Sequence, residues 1–254
     1  MLGMIFGSFI NVLVYRLPRG ISLIFPLSVC PVCGKNIKFY DNIPVISFLL
    51  LKGKCRYCSS SISPVYPLVE LLCGFLALIC FFKFGATWVF LKYLIFIFLL
   101  VAASFTDITT LLDDKQFQSG IIPDIITVGG AFIGIFFGIF IEPFFVDVLM
   151  GCIFGFFIIF IPNILYKFFM HKDGMGGGDM KLFAMVGSFL GYKPLMFILF
   201  ISSISGIIVG LVIILVTKNR YFPIPFAPFI SVAAALFVFY GGTIMSFYLR
   251  TVGY

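Results

Sequence analysis

Charge is what this chain most lacks. Asp, Glu, Lys and Arg make up 11% of its 254 residues, against about a quarter in an ordinary soluble domain. Histidine occurs once, at His171. A Ser/His/Asp or Cys/His nucleophilic arrangement therefore has one loop imidazole to draw on and finds no support. There is no glycine-rich strand-to-helix fingerprint of a dinucleotide-type site, no low-complexity tract and no internal repeat. The N-terminus lacks the basic stretch and small-residue cleavage site of a removable signal, and reads as a retained first span.

The remainder is apolar: 62% of residues are hydrophobic, 36 of them Phe, and mean hydropathy is +1.20. Such a composition belongs in a bilayer. At ~20 apolar residues per crossing, the length accommodates about eight spans and one modest soluble loop. The predicted fold is an all-α polytopic membrane protein, with spans at Met1–Tyr15, Val65–Phe82, Trp88–Thr106, Pro123–Ile141, Asp147–Phe169, Met180–Leu190, Pro194–Thr217 and Phe226–Tyr248. The first and sixth are short for a full crossing. The chain divides into a first span (1–15), a polar loop (16–64) and a helical core (65–254).

With the loop in the cytoplasm, four of the 17 basic residues fall on the outer side: Lys83, Lys92, Lys193 and Arg250. The rest lie inside, which is the positive-inside bias. The formal charge of +7 is thus topological, and nucleic acid is not an expected partner. The lipid bilayer is.

The loop carries Cys30-Pro31-Val32-Cys33 and Cys55-Arg56-Tyr57-Cys58, two CxxC knuckles separated by twenty-one residues. Tetrahedral zinc takes four thiolates, and two such turns face to face supply them. Two disulfides or four free thiols are the alternatives, and a reducing cytoplasm favours zinc over both. Four protein ligands leave no open position, so the metal is expected to be structural. Cys73, Cys80 and Cys152 lie within spans and read as small apolar residues.

Among the acids, Asp41, Glu142 and Asp173 fall in loops, where a solvated carboxylate is ordinary. Asp147 opens the fifth span and Asp124 the fourth, where an acidic first turn suits the helix dipole. Glu70 lies within the second span and needs a polar or basic partner. Asp107 ends the third span, and Asp179 follows Gly174-Met175-Gly176-Gly177-Gly178 at the start of the sixth. The charge pattern puts both on the cytoplasmic side. Two carboxylates sharing a proton can polarise a carbonyl and activate water, which is aspartic protease chemistry. The same acids could relay protons in a transporter, and a zinc-knuckle membrane adaptor is a third reading.

Several segments together resemble a known family, the bacterial type IV prepilin peptidases. Gly7-Ser8-Phe9-Ile10-Asn11-Val12 with Tyr15-Arg16-Leu17-Pro18 resembles its opening. Both CxxC knuckles, Asp41-Asn42-Ile43-Pro44-Val45, Leu51-Lys52-Gly53-Lys54-Cys55 and Tyr66-Pro67-Leu68-Val69-Glu70 follow in order. Gly176-Gly177-Gly178-Asp179 is similar to the GxGD motif of intramembrane aspartyl proteases. Pro225-Phe226-Ala227-Pro228-Phe229 resembles a late Pro-Phe-Gly-Pro motif, with alanine for glycine.

The resemblance implies a bifunctional enzyme with Asp107 and Asp179 as its catalytic pair. It would cut the leader from prepilins or pseudopilins after a glycine, at the cytoplasmic face of the inner membrane. It would then N-methylate the new terminus with S-adenosylmethionine, whose site the sequence does not reveal. One feature departs from the family. Asp107 and Asp124 are seventeen residues apart, wider than the family's spacing, with Thr110 to Gly120 reading as an insertion. Asp114 is therefore the alternative first acid.

Overall fold

The computed structural model describes residues 1–25, 28–113, 117, 120–170, 176–218 and 223–252. Those residues form helices and turns, with two isolated β-bridges, Val29 to Asn36 and Lys54 to Ser61, and no strand. The chain divides into two compact units, Met1–Gly85 and Ala86–Tyr254.

In the first unit, α1 (Leu2–Arg16) and α3 (Val65–Phe84) pack antiparallel. Gly3 of α1 abuts Cys73 to Ala77, and Gly7 abuts Val69 to Cys73. One turn further on, Asn11 Nδ2 donates to the Tyr66 carbonyl at 3.0 Å. The loop between the helices therefore leaves and returns at one end of the pair. It carries a 3₁₀ turn (Phe39–Asn42) and a short α2 (Ile46–Leu50). Among its described residues only Cys30 and Ser47 are buried, so hydrophobic packing contributes little to its order.

Two acids of this unit find partners. Glu70 is buried in α3, where its carboxylate accepts the Val45 N–H at 2.7 Å with the Ser8 side chain nearby. This meets the expectation that an acid within a span is paired. It also ties the loop to α3 at Val45, whose φ of 62° is rare for a β-branched residue. Asp41, expected to be solvated, instead takes two nitrogens of a guanidinium. Arg56 Nε lies 2.8 Å from Oδ2 and Nη2 2.5 Å from Oδ1, a fork-to-fork pair. That bond holds the Asp41 carboxyl below its usual range.

The second unit holds α4 (Trp88–Leu111), α5 (Asp124–Phe140), α6 (Phe145–Met170), α7 (Gly177–Leu190), α8 (Leu195–Thr217) and α9 (Ala227–Val252). Thr87 starts α4 by accepting the Phe90 N–H at 3.2 Å, an N-cap bond. α7 is the centre of the unit: Met180 and every residue from Leu182 to Leu190 are buried. α6 reaches it closely at Gly151 and Gly187, where a β-carbon on either would overlap the other's backbone. Such small-residue crossings bring helices together where lipid offers no hydrophobic drive. The stacked rings of Phe96 and Phe189, 4.6 Å apart, join α4 to α7. Ser231 Oγ donates to the Leu100 carbonyl at 3.2 Å, joining α9 to α4.

All eight expected spans appear as helices with ends within a few residues of expectation, except that α4 runs on to Leu111 and places Asp107 inside the helix. Five are long and apolar enough to cross a bilayer: Val65–Phe84, Trp88–Leu111, Phe145–Met170, Leu195–Thr217 and Ala227–Ile244. Leu2–Arg16 and Asp124–Phe140 are shorter apolar helices. The 14 residues of α7 rise only ~21 Å. Large apolar side chains remain exposed along these helices, Phe132, Phe136, Leu211 and Leu215 among them. A bilayer is the solvent that tolerates such a surface.

Candidate functional site

The two knuckles are near-copies of one backbone turn. In the first, Cys30 N–H donates to Lys35 O at 2.9 Å, Gly34 N–H to Cys30 O at 2.9 Å, and Ile37 N–H to Ser28 O at 2.8 Å. In the second, Cys55 N–H donates to Ser60 O at 2.8 Å, Ser59 N–H to Cys55 O at 3.0 Å, and Ile62 N–H to Gly53 O at 2.8 Å. Gly34 and Ser59 occupy the same place in each turn and share a left-handed φ, 69° and 57°. This is an internal structural repeat, contrary to expectation. It is hidden in the sequence because serine fills in the second knuckle the position that glycine fills in the first.

The turns bring Cys30, Cys33, Cys55 and Cys58 together, all four sulfurs within 4.8 Å of one another. A tetrahedron with Zn–S bonds of about 2.3 Å needs sulfurs about 3.8 Å apart, and Cys30 Sγ and Cys58 Sγ are 3.8 Å apart. The donor set fits zinc. Its electrostatics point the same way. The backbone amides of Cys33 and Val32 bond the Cys30 sulfur and pull its pKa down to about 6. The Ser60 hydroxyl, 3.1 Å from Cys58 Sγ, lowers Cys58. Against the downward pull of the Lys35 amide, burial and the sulfurs of Cys30 and Cys58 push Cys33 up to about 11. Thiolates this close repel one another unless a cation neutralises them.

In the second unit the acids converge. Asp107 is buried on α4, and its Oδ2 accepts the Ala227 N–H at the start of α9, 3.2 Å away. Gly120 lies against the same carboxylate, where a β-carbon would overlap Asp107 Oδ1. The chain is held there by Thr110 Oγ1, which accepts the Ile121 N–H at 2.8 Å. The next residue, Ile122, is buried and packs on Gly178, where a β-carbon would stand 3.2 Å from Ile122 Cβ. The segment 120–122 thus touches Asp107 at one end and the residue before Asp179 at the other. Asp179, in the first turn of α7, is near enough for the Asp107 charge to act on it.

Of the other candidates, Asp124 is exposed in the first turn of α5 and pairs with Lys181 of α7, 2.6 Å from Nζ to Oδ1. That agrees with a helix-stabilising reading. Asp147 sits in the first turn of α6. Cys73 and Cys80 are buried and Cys152 half-buried, as small apolar residues should be. Asp114, His171 and Asp173 lie outside the described residues. The excursion after Thr110 closes at Ile121 and so returns the chain to Asp107. Sequence reasoning singled out the Pro-Phe-Ala-Pro segment but gave it no role. Its contact with Asp107 spans 120 residues and has no local signature.

The arrangement gives one unit a four-thiolate metal centre and the other a carboxylate pair, Asp107 buried and Asp179 half-buried. Such a pair can activate water against a carbonyl with no metal or nucleophilic side chain. Comparison with known proteins agrees in extent. Residues 1–84 match the bacterial peptidase A24 N-terminal domain, and residues 93–211 match the type IV leader peptidase family. The chain is 33% identical over 98% of its length to a prepilin leader peptidase/N-methyltransferase of Stutzerimonas stutzeri, covering 92% of that protein. It is 32% identical over its whole length to the protein of the same description in Pseudomonas aeruginosa, covering 93% of it. The counterpart in Neisseria gonorrhoeae is 33% identical over 91% of this chain and 86% of its own length. No solved structure matches. With full-length relatives of one description and the thiolate and carboxylate sites both assembled, the chain belongs to the type IV leader peptidase family.

Proposed function

We propose that the protein cleaves the leader from type IV prepilins or pseudopilins and methylates the new N-terminus, with S-adenosylmethionine as methyl donor. The observation that carries the first activity is the convergence of buried Asp107 and half-buried Asp179, within a chain whose relatives are prepilin leader peptidases. Nothing in the comparisons supports the transporter reading. The adaptor reading leaves the acid pair without a use.

Asp107 and Asp179 are the catalytic pair in this reading. Between them they hold one proton. The ionised member takes a proton from water as its oxygen bonds the scissile carbonyl carbon, and the protonated member gives its proton to the carbonyl oxygen. The C–N bond then breaks as the leaving nitrogen takes up the proton first removed from water. A peptide carbonyl inside a hydrogen-bonded helix is hidden from attack, so the substrate must extend locally where it is cut. Eight helices cross the inner membrane, with both acids and the loop on the cytoplasmic side. Residues 16–64 bind structural zinc through Cys30, Cys33, Cys55 and Cys58, and the helices from residue 65 onward form the peptidase core.

The test is cleavage of a full-length prepilin by purified protein in detergent, with products read by mass spectrometry. Asp107→Asn and Asp179→Asn each abolish leader loss, whereas Asp114→Asn retains it. Adding S-adenosylmethionine makes the wild-type product heavier by one methyl group. Full activity in a well-expressed Asp107→Asn protein would move the role to Asp114. No cleavage by wild type across several prepilins would defeat the peptidase reading.

A further inference from the structure

The two acids of the pair are held differently. Asp107, though buried, receives a backbone donor at the start of α9, the Ala227 N–H at 3.2 Å from Oδ2. The Phe226 carbonyl accepts from Phe229 N–H at 3.1 Å and Ile230 N–H at 3.3 Å, which makes Phe226 the N-cap and Ala227 the first helical residue. Amides at these positions have no partner within their own helix and form the positive end of its dipole. Pro228 has no N–H to compete. Gly120 lies beside the other oxygen, where any β-carbon would overlap it. Asp179 lies in the first turn of α7 and so also meets a helix's positive end, but among the described residues no hydrogen bond reaches its carboxyl.

Hydrogen bonds to a charged form favour that form. We propose that the Ala227 amide keeps Asp107 ionised, making it the base that deprotonates water, while Asp179 enters the reaction carrying the proton. The inference rests on the dyad reading above and adds a division of labour to it. Asp107 takes one proton from water as the C–O bond forms, and Asp179 passes its own to the carbonyl oxygen. When the C–N bond breaks, Asp107 returns its proton to the amine and Asp179 recovers one from the new carboxyl group. The pair is restored. The Pro-Phe-Ala-Pro segment is then a positioning element that acts through Asp107. A buried, close-packed residue 227 is why a small side chain stands there: Ala227 is fully buried.

Ala227→Pro tests this. Proline is favoured at the first helical position, but its ring carbon replaces the N–H that faces Asp107 Oδ2 at 3.2 Å, so the change deletes the donor and also presses on the carboxylate. Ala227→Gly keeps the donor and serves as the conservative control. The expected result with prepilin is a fall in kcat of about ten- to a hundred-fold for Ala227→Pro, the loss of a hydrogen bond to a charged group, with KM little changed. Ala227→Gly should recover most of that loss.

Carboxyl ¹³C spectra of Asp-labelled protein supply a readout that packing alone would not move. The Asp107 signal is assigned by its absence in Asp107→Asn. In the wild type at neutral pH it should sit at the ionised position, and in Ala227→Pro it should move toward the protonated one. A protonated Asp107 in the wild type overturns the inference even if Ala227→Pro fails to fold. So does undiminished kcat in a folded Ala227→Pro protein while Asp107→Asn is inactive. Cleavage by Asp107→Asn would instead sink the dyad reading itself.

Discussion

The loop between α1 and α3 offers the sharpest quantitative test, because so little besides its metal centre can order it. Among its described residues only Cys30 and Ser47 are buried. A zinc ion joining the knuckles closes a loop from Cys30 to Cys55. Closing a loop of about 25 residues lowers chain entropy by about 3.5 kcal/mol at room temperature. Cys55→Ser with Cys58→Ser removes two of the four ligands and opens that closure. The direct loss of metal binding is larger still, since structural zinc contributes about 10 kcal/mol or more in small domains. The closure part alone raises the open population of the loop roughly 400-fold. Two measurements check this. Metal analysis should fall from about one zinc per chain to near zero, as a four-thiolate site requires. Limited proteolysis should cut within residues 16–64 faster by at least roughly two orders of magnitude when opening is fast relative to cleavage, with α1 and α3 surviving as intact fragments. Cys80→Ser, inside α3, is the control and should change neither. Zinc retained by the double variant, or a loop no easier to cut, would refute the reasoning.

Two further outcomes follow from the carboxylates outside the pair. Glu70→Ala removes a buried acceptor of the Val45 N–H and should destabilise the first unit by about 2 kcal/mol; Glu70→Gln, which can still accept from Val45, should lose much less, and equal losses in detergent melting would show that shape is not enough. Asp124→Asn breaks an ion pair whose side chains are 65% and 39% exposed for Asp124 and Lys181, so its cost should stay under about 1 kcal/mol, and a larger drop in melting temperature would mean that the pair holds α5 to α7.

Local signals explain what could be read from the chain and what could not. The spans were legible because apolar runs of about 20 residues, separated by polar breaks, are long enough to cross a bilayer. The knuckles were legible because CxxC spacing encodes a turn. Asp107 and Asp179 could be named as candidates because acids at the edges of apolar runs are costly unless used. Asp41 was misjudged as solvated because its guanidinium partner, Arg56, stands fifteen residues away in another turn. The Glu70 bond to Val45 and the Ala227 bond to Asp107 join residues 25 and 120 positions apart. Pairings of that kind are made by packing, and no local pattern announces them.

The shortness of α5 has a consequence for where water can be found. Its 17 residues rise ~25 Å, less than the ~30 Å of a typical hydrocarbon core. Unlike α7, it presents Ile125, Val128, Phe132, Phe136 and Phe140 outward. Lipids meeting a stubby outer wall of this kind adjust their own thickness to it, dimpling inward by a few ångströms. Pro123 and Asp124 stand at the end of that wall where the segment touching Asp107 enters the helix. A hydrolase built for a medium without water would thereby draw the aqueous boundary down toward its acids, letting the membrane deform instead of opening a channel through the protein.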